Sequence, residues 1–479
     1  MKKAKIICTI GPSTSSKKML VSLIKAGMDV ARLNFSHGTH DEHSQYIRHI
    51  RELSLELNKP VMILQDLQGI KIRIGKVAGG AIRIKKRQKI ALKPGNNIST
   101  EDKLFISYDA LLKDLKKGQR ILLDDGLIQL RVTEKKEGLV IATVKEGGTL
   151  TANKGVNLPD TAISLIPFTD KDRDDLEFGI KNGIDAVALS FVLSHRDIIT
   201  VKEWMKKRNV YIPIIAKIEK PEALLHIDPI LEAADGIMVA RGDLGVEVPQ
   251  DEIPVIQKDL IRKANEWRKP VITATQMLES MREHARPTRA EITDVANAVI
   301  DGSDSLMLSA ETSTGKYPLA AVRIMRKIIE TTEKKIIIGN ISPDFFNKTS
   351  EERLSNALAD AAVKAADDVG AKCITAFTRS GFTALLLSKF RPSASIIAFT
   401  PDKTVIRKMS LYWGVRPHFM KLLKNTDEMV YEVEKALIGL KLAQKGDLIV
   451  ITASSPMETY GKTNFMKIHK IGGSGKISL

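Results

Sequence analysis

An amine and two carboxylates carry the first chemical signal in this chain. Lys217 closes the apolar run Ile212–Lys217, Glu219 follows two residues later, and Asp243 stands just past the next run, Gly236–Ala240. Read as neighbouring strand ends, the two carboxylates suit Mg²⁺ or Mn²⁺ held by few protein ligands and completed by substrate oxygens. No His or Cys cluster competes with them. A metal so held polarises a phosphoryl group, while Lys217 and nearby arginines neutralise charge that builds on the transferring oxygens. Thr275 and Ser309 close two later runs, where a hydroxyl in a charged setting passes a proton directly or through water. The chemistry these side chains share is phosphoryl transfer.

Such side chains need a scaffold that brings many strand ends to one rim. Eight apolar, β-branched runs recur: Lys5–Ile10, Met28–Leu33, Val61–Gln65, Ile184–Ser190, Ile212–Lys217, Gly236–Ala240, Pro270–Thr275 and Ser305–Ser309. Helix-length amphipathic stretches separate them, among them Ser15–Ala26, Glu42–Leu57, Lys171–Lys181 and Ile253–Glu266. Eight strand-helix units predict an α/β fold with a closed (β/α)₈ TIM barrel, whose reactive groups project from the C-terminal strand ends. Nearly every run is followed by such groups, including Arg241 after the sixth and Glu311 after the eighth.

One connection breaks the pattern. Residues 71–165 hold short strands such as AIRIKK, KIALK, RILLDDGLIQLRV and LVIATV, punctuated by Gly and charged turns. They predict a small β-barrel lid inserted over the active face. Past Lys335 come strands at Lys372–Thr378, Ser395–Thr400, Val415–Met420, Leu448–Thr452 and near Phe465–Lys470, a doubly wound α/β series. The expected division is a barrel catalytic domain over 1–70 and 166–335, a lid over 71–165 and a C-terminal α/β regulatory domain over 336–479, with Asn340–Lys348 as linker.

Composition narrows the class. Of 479 residues 43% are hydrophobic and 27% charged, a globular balance. No apolar run approaches the roughly 20 residues that span a bilayer. The opening MKKAKIICTIGP is basic, but its apolar stretch is one strand long and turns at Gly11-Pro12, so no secretory signal is read and a cytoplasmic location is expected. Cys8 and Cys373, the only cysteines, sit in apolar runs and are expected to be buried free thiols. The net charge of +17 suits nucleic acid, a membrane surface, or phosphorylated and carboxylate substrates. The cations are spread over helix faces, with no aromatic single-strand-binding motif and no helix-turn-helix, so neither nucleic acid nor membrane is expected as a partner. Two nucleotide-loop look-alikes fail: GGSGKIS near the C-terminus lacks the spacing of a Walker loop, and no GxGxxG opens a helix.

Taken singly, a charged strand-end residue often only solvates a loop or pairs with a neighbour, and His37 alone reads as a hydrogen-bonded loop residue. Together and in order, these segments resemble the pyruvate kinase family. The resemblance rests on TIGPS from Thr9, ARLNFSHG from Ala31, AKIEKPEA from Ala216, VARGDLGVEVP from Val239, PVITATQMLESM from Pro270, ARPTRAEITDVANAV from Ala285 and MLSAETSTGKYP from Met307. DDGLI from Asp124 and NKGVNLP from Asn153 extend it into the lid. It implies a glycolytic reaction that moves the phosphoryl group of phosphoenolpyruvate to ADP, giving ATP and, after protonation of the enolate, pyruvate. By the resemblance Lys217 stabilises the transferring group, Glu219 and Asp243 hold Mg²⁺ or Mn²⁺, and Arg32 and Arg73 lie on the phosphate. Gly242, Asp243 and Thr275 fall at the substrate, and Thr275 and Ser309 at carboxylate contact and enolate protonation. Pro12, Arg32, Asn34, His37 and Lys154 match nucleotide-side positions, and a homotetramer is implied.

One departure is informative. Many members need K⁺ and carry a Glu in a D-T-K-G-P-E-I-R-T pattern, within a monovalent-cation region that here corresponds to Asn34, Ser36, Asp66, Leu67 and Lys71. This chain reads Asp66-Leu67-Gln68-Gly69-Ile70-Lys71-Ile72-Arg73-Ile74, so Lys71 replaces the Glu and Ile70 a Pro. An ammonium there supplies the charge that K⁺ otherwise brings, and Leu67, Gln68 and Ile74 resemble the K⁺-independent branch; activity without K⁺ is expected. The loop Thr378-Arg379-Ser380-Gly381-Phe382-Thr383 follows a strand and opens a helix, so its hydroxyls and helix N–H groups form a phosphate cradle. In the family this loop binds a phosphorylated allosteric effector, here AMP, a sugar monophosphate or fructose 1,6-bisphosphate. The rival reading is another phosphoenolpyruvate or pyruvate barrel, such as a metal-dependent aldolase or lyase; the lid and the nucleotide-side motif argue against it.

Overall fold

The computed structural model describes residues 2–70, 72–161, 168–335, 345, 349–423, 425–454 and 463–473. Lys71, and all of the expected Asn340–Lys348 linker except Phe345, lie outside them. Eight parallel strands close a barrel: β1 Lys5–Thr9, β2 Met28–Asn34, β3 Met62–Asp66, β4 Ala186–Leu189, β5 Ile214–Ile218, β6 Gly236–Ala240, β7 Val271–Ala274 and β8 Ser305–Leu308. They follow one another in chain order around the ring, and β8 pairs with β1. The fifth strand starts later than the run Ile212–Lys217 suggests, because Pro213 has no N–H to give the ladder.

Alternation within the strands explains why the runs are apolar throughout. In β1, Ile7 packs inside the barrel with Val30, Leu64, Ala188, Ile215 and Met307, while Ile6 and Cys8 pack outward against the helices. A strand covered on both faces has no solvated side to carry polar groups, and all of β1, β5 and β6 is buried. Each large aliphatic side chain buried this way contributes about 1.5–3 kcal/mol. Three barrel helices start on capping boxes, Thr39 with Glu42 after β2, Thr169 with Asp172 after the insertion that follows β3, and Thr288 with Glu291 after β7. These caps satisfy orphan N–H groups and set the chain's path across the C-terminal rim.

Between β3 and β4 the inserted segment folds over its own apolar core as a six-stranded and a two-stranded sheet. The stretch RILLDDGLIQLRV, read as one strand, is a hairpin of Arg120–Leu123 and Ile128–Lys136. Asp124, Asp125 and Gly126 all take left-handed φ values of 53°, 54° and 87°, which reverses the chain. The C-terminal sheet runs, across its width, Val415–Phe419, Ser395–Thr400, Cys373–Phe377, Leu448–Ala453 and Phe465–Lys470, the last strand antiparallel. It docks on the rim opposite the lid. There the fully buried Lys389 Nζ donates to Asp304 Oδ2, just before β8, at 2.6 Å, and Arg407 pairs with Asp185, just before β4, at 2.6 Å.

Cys8 and Cys373 are free and buried, and burial pushes both thiols up, so neither is a ready nucleophile. Among the described residues no helix is long and apolar enough to cross a membrane.

Candidate active site

The alternation that fills the barrel continues to its C-terminal rim as polar groups. Two residues past the interior Val30, Leu64, Ala188, Ile215 and Met307 stand Arg32, Asp66, Ser190, Lys217 and Ser309. Lys217 Nζ donates to Ser190 Oγ at 2.7 Å and lies 2.9 Å from Glu219 Oε1 and 3.2 Å from Asp66 Oδ1. Asp66 Oδ2 accepts from Arg32 Nε at 2.7 Å, and Arg32 Nη1 donates to Thr9 Oγ1 at 3.0 Å. Ser190 Oγ donates onward to Leu67 O at 2.7 Å, which turns a lone pair toward the ammonium. All of these side chains are buried.

Their charges set one another's protonation. Burial alone lowers Lys217, but Asp66, Glu219 and Asp243 reverse this and hold its ammonium above the ordinary lysine range. Burial raises Asp66, and Lys217 and Arg32 outweigh it, so the carboxyl stays below the usual range. Glu219 goes the other way: burial pushes it up and Asp243 adds to the rise, against the pull of Lys217. A buried carboxylate next to a second one is short of positive charge, which a cation would supply. The hard oxygens of Glu219 and Asp243 therefore fit Mg²⁺ or Mn²⁺. Among the described residues no group of three or more His, Cys, Asp or Glu side chains is spaced to hold a metal, so these two carboxylates would leave most of the shell to substrate and water.

Thr275 and Gln276, past β7, both have left-handed backbones, with φ of 68° and 54°. Thr275 Oγ1 accepts from Gly242 N at 2.7 Å and donates to Ala274 O at 2.6 Å. A Cβ at position 242 would lie 3.2 Å from Thr275 Oγ1, so glycine lets these two strand ends close on each other. Arg241 Nη2 donates to Thr275 O at 2.8 Å, and its Nη1 pairs with Asp294 at 2.7 Å. Ser309 Oγ is buried and, among the described residues, has no hydrogen-bond partner.

The lid overhangs this rim. A cavity of about 410 Å³ between lid and barrel is lined by His37, Arg73, Lys154, Lys220 and Asp243, and one of about 600 Å³ opens on Gly242, Asp243 and Thr275. Lid residue Asn157 donates to Glu247 Oε1 at 2.7 Å, and the same oxygen takes Lys220 Nζ at 2.5 Å, which fastens the lid to the barrel. The nucleotide-side residues are only partly brought together. His37 and Lys154 line the lid cavity, but Pro12 is exposed on the loop after β1, Arg32 is turned to Asp66, and Asn34 Oδ1 accepts from Ser36 N at 3.1 Å. Asn34, Ser36 and Leu67 stay with Asp66 at the ends of β2 and β3, while Lys71 lies outside the described residues.

Sequence reading missed Ser190, Lys220 and Glu247 and left Glu311 without a role. Ser190 had one signal, a hydroxyl closing an apolar run; the other three work through partners that only the folded chain supplies.

In the C-terminal domain, residues Thr378, Arg379, Ser380, Phe382 and Thr383 line a smaller cavity of about 80 Å³ with Lys421. Gly381 has φ of 87° and its N–H donates to Thr378 Oγ1 at 2.9 Å; Thr383 Oγ1 meets Thr463 Oγ1 at 2.7 Å.

Comparison with known proteins bears on the family and the fold. The family model described as pyruvate kinase, barrel domain, matches residues 1–322, and the one described as pyruvate kinase, alpha/beta domain, matches 356–469. The pyruvate kinase of Geobacillus stearothermophilus is 45% identical over 473 residues, covering 98% of this chain and 80% of that one. That of Staphylococcus saprophyticus is 44% identical over 475 residues, covering 98% and 81%. A crystal structure of a pyruvate kinase from Cryptosporidium parvum superposes with a TM-score of 0.92 at 37% identity, covering 98% of this chain and 96% of that one. With a buried lysine, two metal-competent carboxylates and this likeness over nearly its whole length, the chain is a phosphotransferase and belongs to the pyruvate kinase family.

Proposed function

We propose that this enzyme transfers the phosphoryl group of phosphoenolpyruvate to ADP, releasing ATP and pyruvate, as a cytoplasmic step of glycolysis. The observation that supports this most is the buried Lys217 ammonium, held by Asp66, Ser190 and Glu219 at one point of the barrel rim. In the reaction the bond from phosphorus to the enol oxygen breaks, a bond from phosphorus to a terminal oxygen of ADP forms, and the enolate takes a proton at its methylene carbon. Lys217, Arg32 and Arg73 neutralise charge spread over the transferring group. Glu219 and Asp243 would hold Mg²⁺ or Mn²⁺, which when bound supplies Lewis-acid polarisation of the phosphoryl oxygens. Gly242, Asp243 and Thr275 orient the substrate, and Thr275 and Ser309 carry the proton to carbon, directly or through water. Pro12, Arg32, Asn34, His37 and Lys154 take the nucleotide side. The rate gain then comes mainly from position and charge.

The finer reading has three further parts. Lys71 stands in for K⁺ beside Asn34, Ser36, Asp66 and Leu67, on the strength of the residue types alone. The loop Thr378–Thr383 takes the phosphate of an allosteric effector, AMP, a sugar monophosphate or fructose 1,6-bisphosphate, and its cavity beside Lys421 is consistent with that. The chain assembles as a homotetramer of three-domain subunits, divided at 1–70 with 166–335, 71–165 and 336–479. The function is tested by following pyruvate formation from phosphoenolpyruvate and ADP with Mg²⁺ or Mn²⁺ and with chelator. Metal-dependent turnover is expected, with Lys217→Met lowering kcat on the order of 10²–10³-fold. A folded wild-type enzyme that makes no pyruvate with either metal would sink the reading.

A further inference from the structure

The strand end at Ser309 and the far side of the turn that follows Thr275 meet at a single carboxylate that has so far been given no task. Glu311 sits in a short helix after β8, fully buried, and among the described residues it forms no ion pair. Its Oε2 accepts from Ser309 N at 2.7 Å and its Oε1 from Leu278 N at 3.0 Å. Leu278 ends the turn that begins with the left-handed Thr275 and Gln276. Such residues persist only where their surroundings over-determine them. Arg241 restrains the turn from one side through Thr275 O, and Glu311 restrains it from the other through Leu278 N.

We infer that Glu311 is a positioning residue that sets the Ser309 hydroxyl against the Thr275 turn, so that both hydroxyls address the carbon to be protonated. This rests on the proposed pyruvate-forming reaction. A carboxylate is required because two diverging acceptor oxygens meet two separate N–H donors. A glutamine keeps one acceptor and aims an NH₂ at the other amide; an aspartate is one methylene too short to reach both. Glu311 acts through these two backbone groups and touches no substrate, so its removal should slow the proton step more than it weakens substrate binding. Ser309 Oγ, buried and unpartnered among the described residues, is the group whose direction depends on the bridge.

The test compares wild type, Glu311→Gln, Glu311→Asp, Ser309→Ala and the double variant Glu311→Gln/Ser309→Ala. Two quantities are read: steady-state kcat and KM with phosphoenolpyruvate, ADP and Mg²⁺, and exchange of pyruvate methyl hydrogens into D₂O with Mg²⁺ and ATP. For Glu311→Gln, kcat and exchange should both fall on the order of 10²-fold while KM for phosphoenolpyruvate stays within about twofold. Glu311→Asp should recover part of the loss, and the double variant should be no worse than the poorer single one, because both changes disable one unit. Wild-type-like exchange in Glu311→Gln, a raised KM at unchanged kcat, or losses that multiply in the double variant would each overturn the inference. Failure of both Glu311 variants to fold would overturn it too, by making the residue structural. A wild-type enzyme without phosphoryl transfer would instead refute the proposed function, which separates the two failures.

Discussion

Lys217 and Asp66 form a buried ion pair, 3.2 Å from Nζ to Oδ1, although β4 lies between their strands. Asp66 also holds Arg32, so one carboxylate sets two cations at the rim. Removing it leaves charge uncompensated in the interior. Asp66→Asn is expected to destabilise the fold by about 3–5 kcal/mol, read as a lowered urea midpoint. By loosening Lys217 it should also lower kcat on the order of 10-fold to 10²-fold. An unchanged midpoint or an unchanged kcat would count against the pair.

The same residue predicts a pH dependence with a definite sign. The folded pKa of Asp66 lies below its unfolded value, because Lys217 and Arg32 outweigh burial. Its contribution is therefore present above the unfolded carboxylate range, near pH 4, and is lost as pH falls through the folded value. Thermal melts between about pH 7 and pH 3 should show wild type losing stability more steeply than Asp66→Asn. Parallel curves would remove Asp66 from the account.

Gly242 lets the ends of β6 and β7 touch, since a Cβ there would lie 3.2 Å from Thr275 Oγ1 and 3.4 Å from Thr275 Cβ. The left-handed turn at Thr275 has little freedom to retreat. Gly242→Ala should displace the hydroxyl, with KM for phosphoenolpyruvate rising and kcat falling, together on the order of tenfold in kcat/KM. Wild-type kinetics in this variant would show that the contact is not part of the substrate site.

Lys71 predicts activity in sodium or tetramethylammonium buffer, with little change on adding potassium. Comparing initial rates in the three salts at constant ionic strength decides it. A large potassium stimulation would sink the idea, and Lys71→Glu should create one.

The C-terminal loop predicts that Ser380→Ala with Thr383→Ala abolishes activation by AMP, a sugar monophosphate or fructose 1,6-bisphosphate. Thr383 also meets Thr463 at 2.7 Å, so a stability loss of about 0.5–1.5 kcal/mol should accompany it. Activation curves with each compound, before and after the change, provide the check; an undiminished response to all of them would exclude this loop.

The linear order of residues determined the barrel, because eight apolar runs separated by helix-length segments have few other ways to bury both faces of every strand. It also determined which side chains reach the rim, since period-two alternation carries Val30 to Arg32, Leu64 to Asp66 and Ile215 to Lys217 without regard to what lies across the barrel. Tertiary structure alone decided the partners. Whether Lys217 meets Ser190 or Asp66, whether Thr275 turns left-handed toward Gly242, and whether Glu311 reaches Leu278 all depend on distances between elements that are remote in sequence. The hairpin at Asp124 was hidden for a related reason: apolar runs on either side of a tight turn look like one strand until the pairing of Arg120–Leu123 with Ile128–Lys136 is seen. Local pattern sets what each residue offers to the interior, and closure of the barrel sets what it finds there.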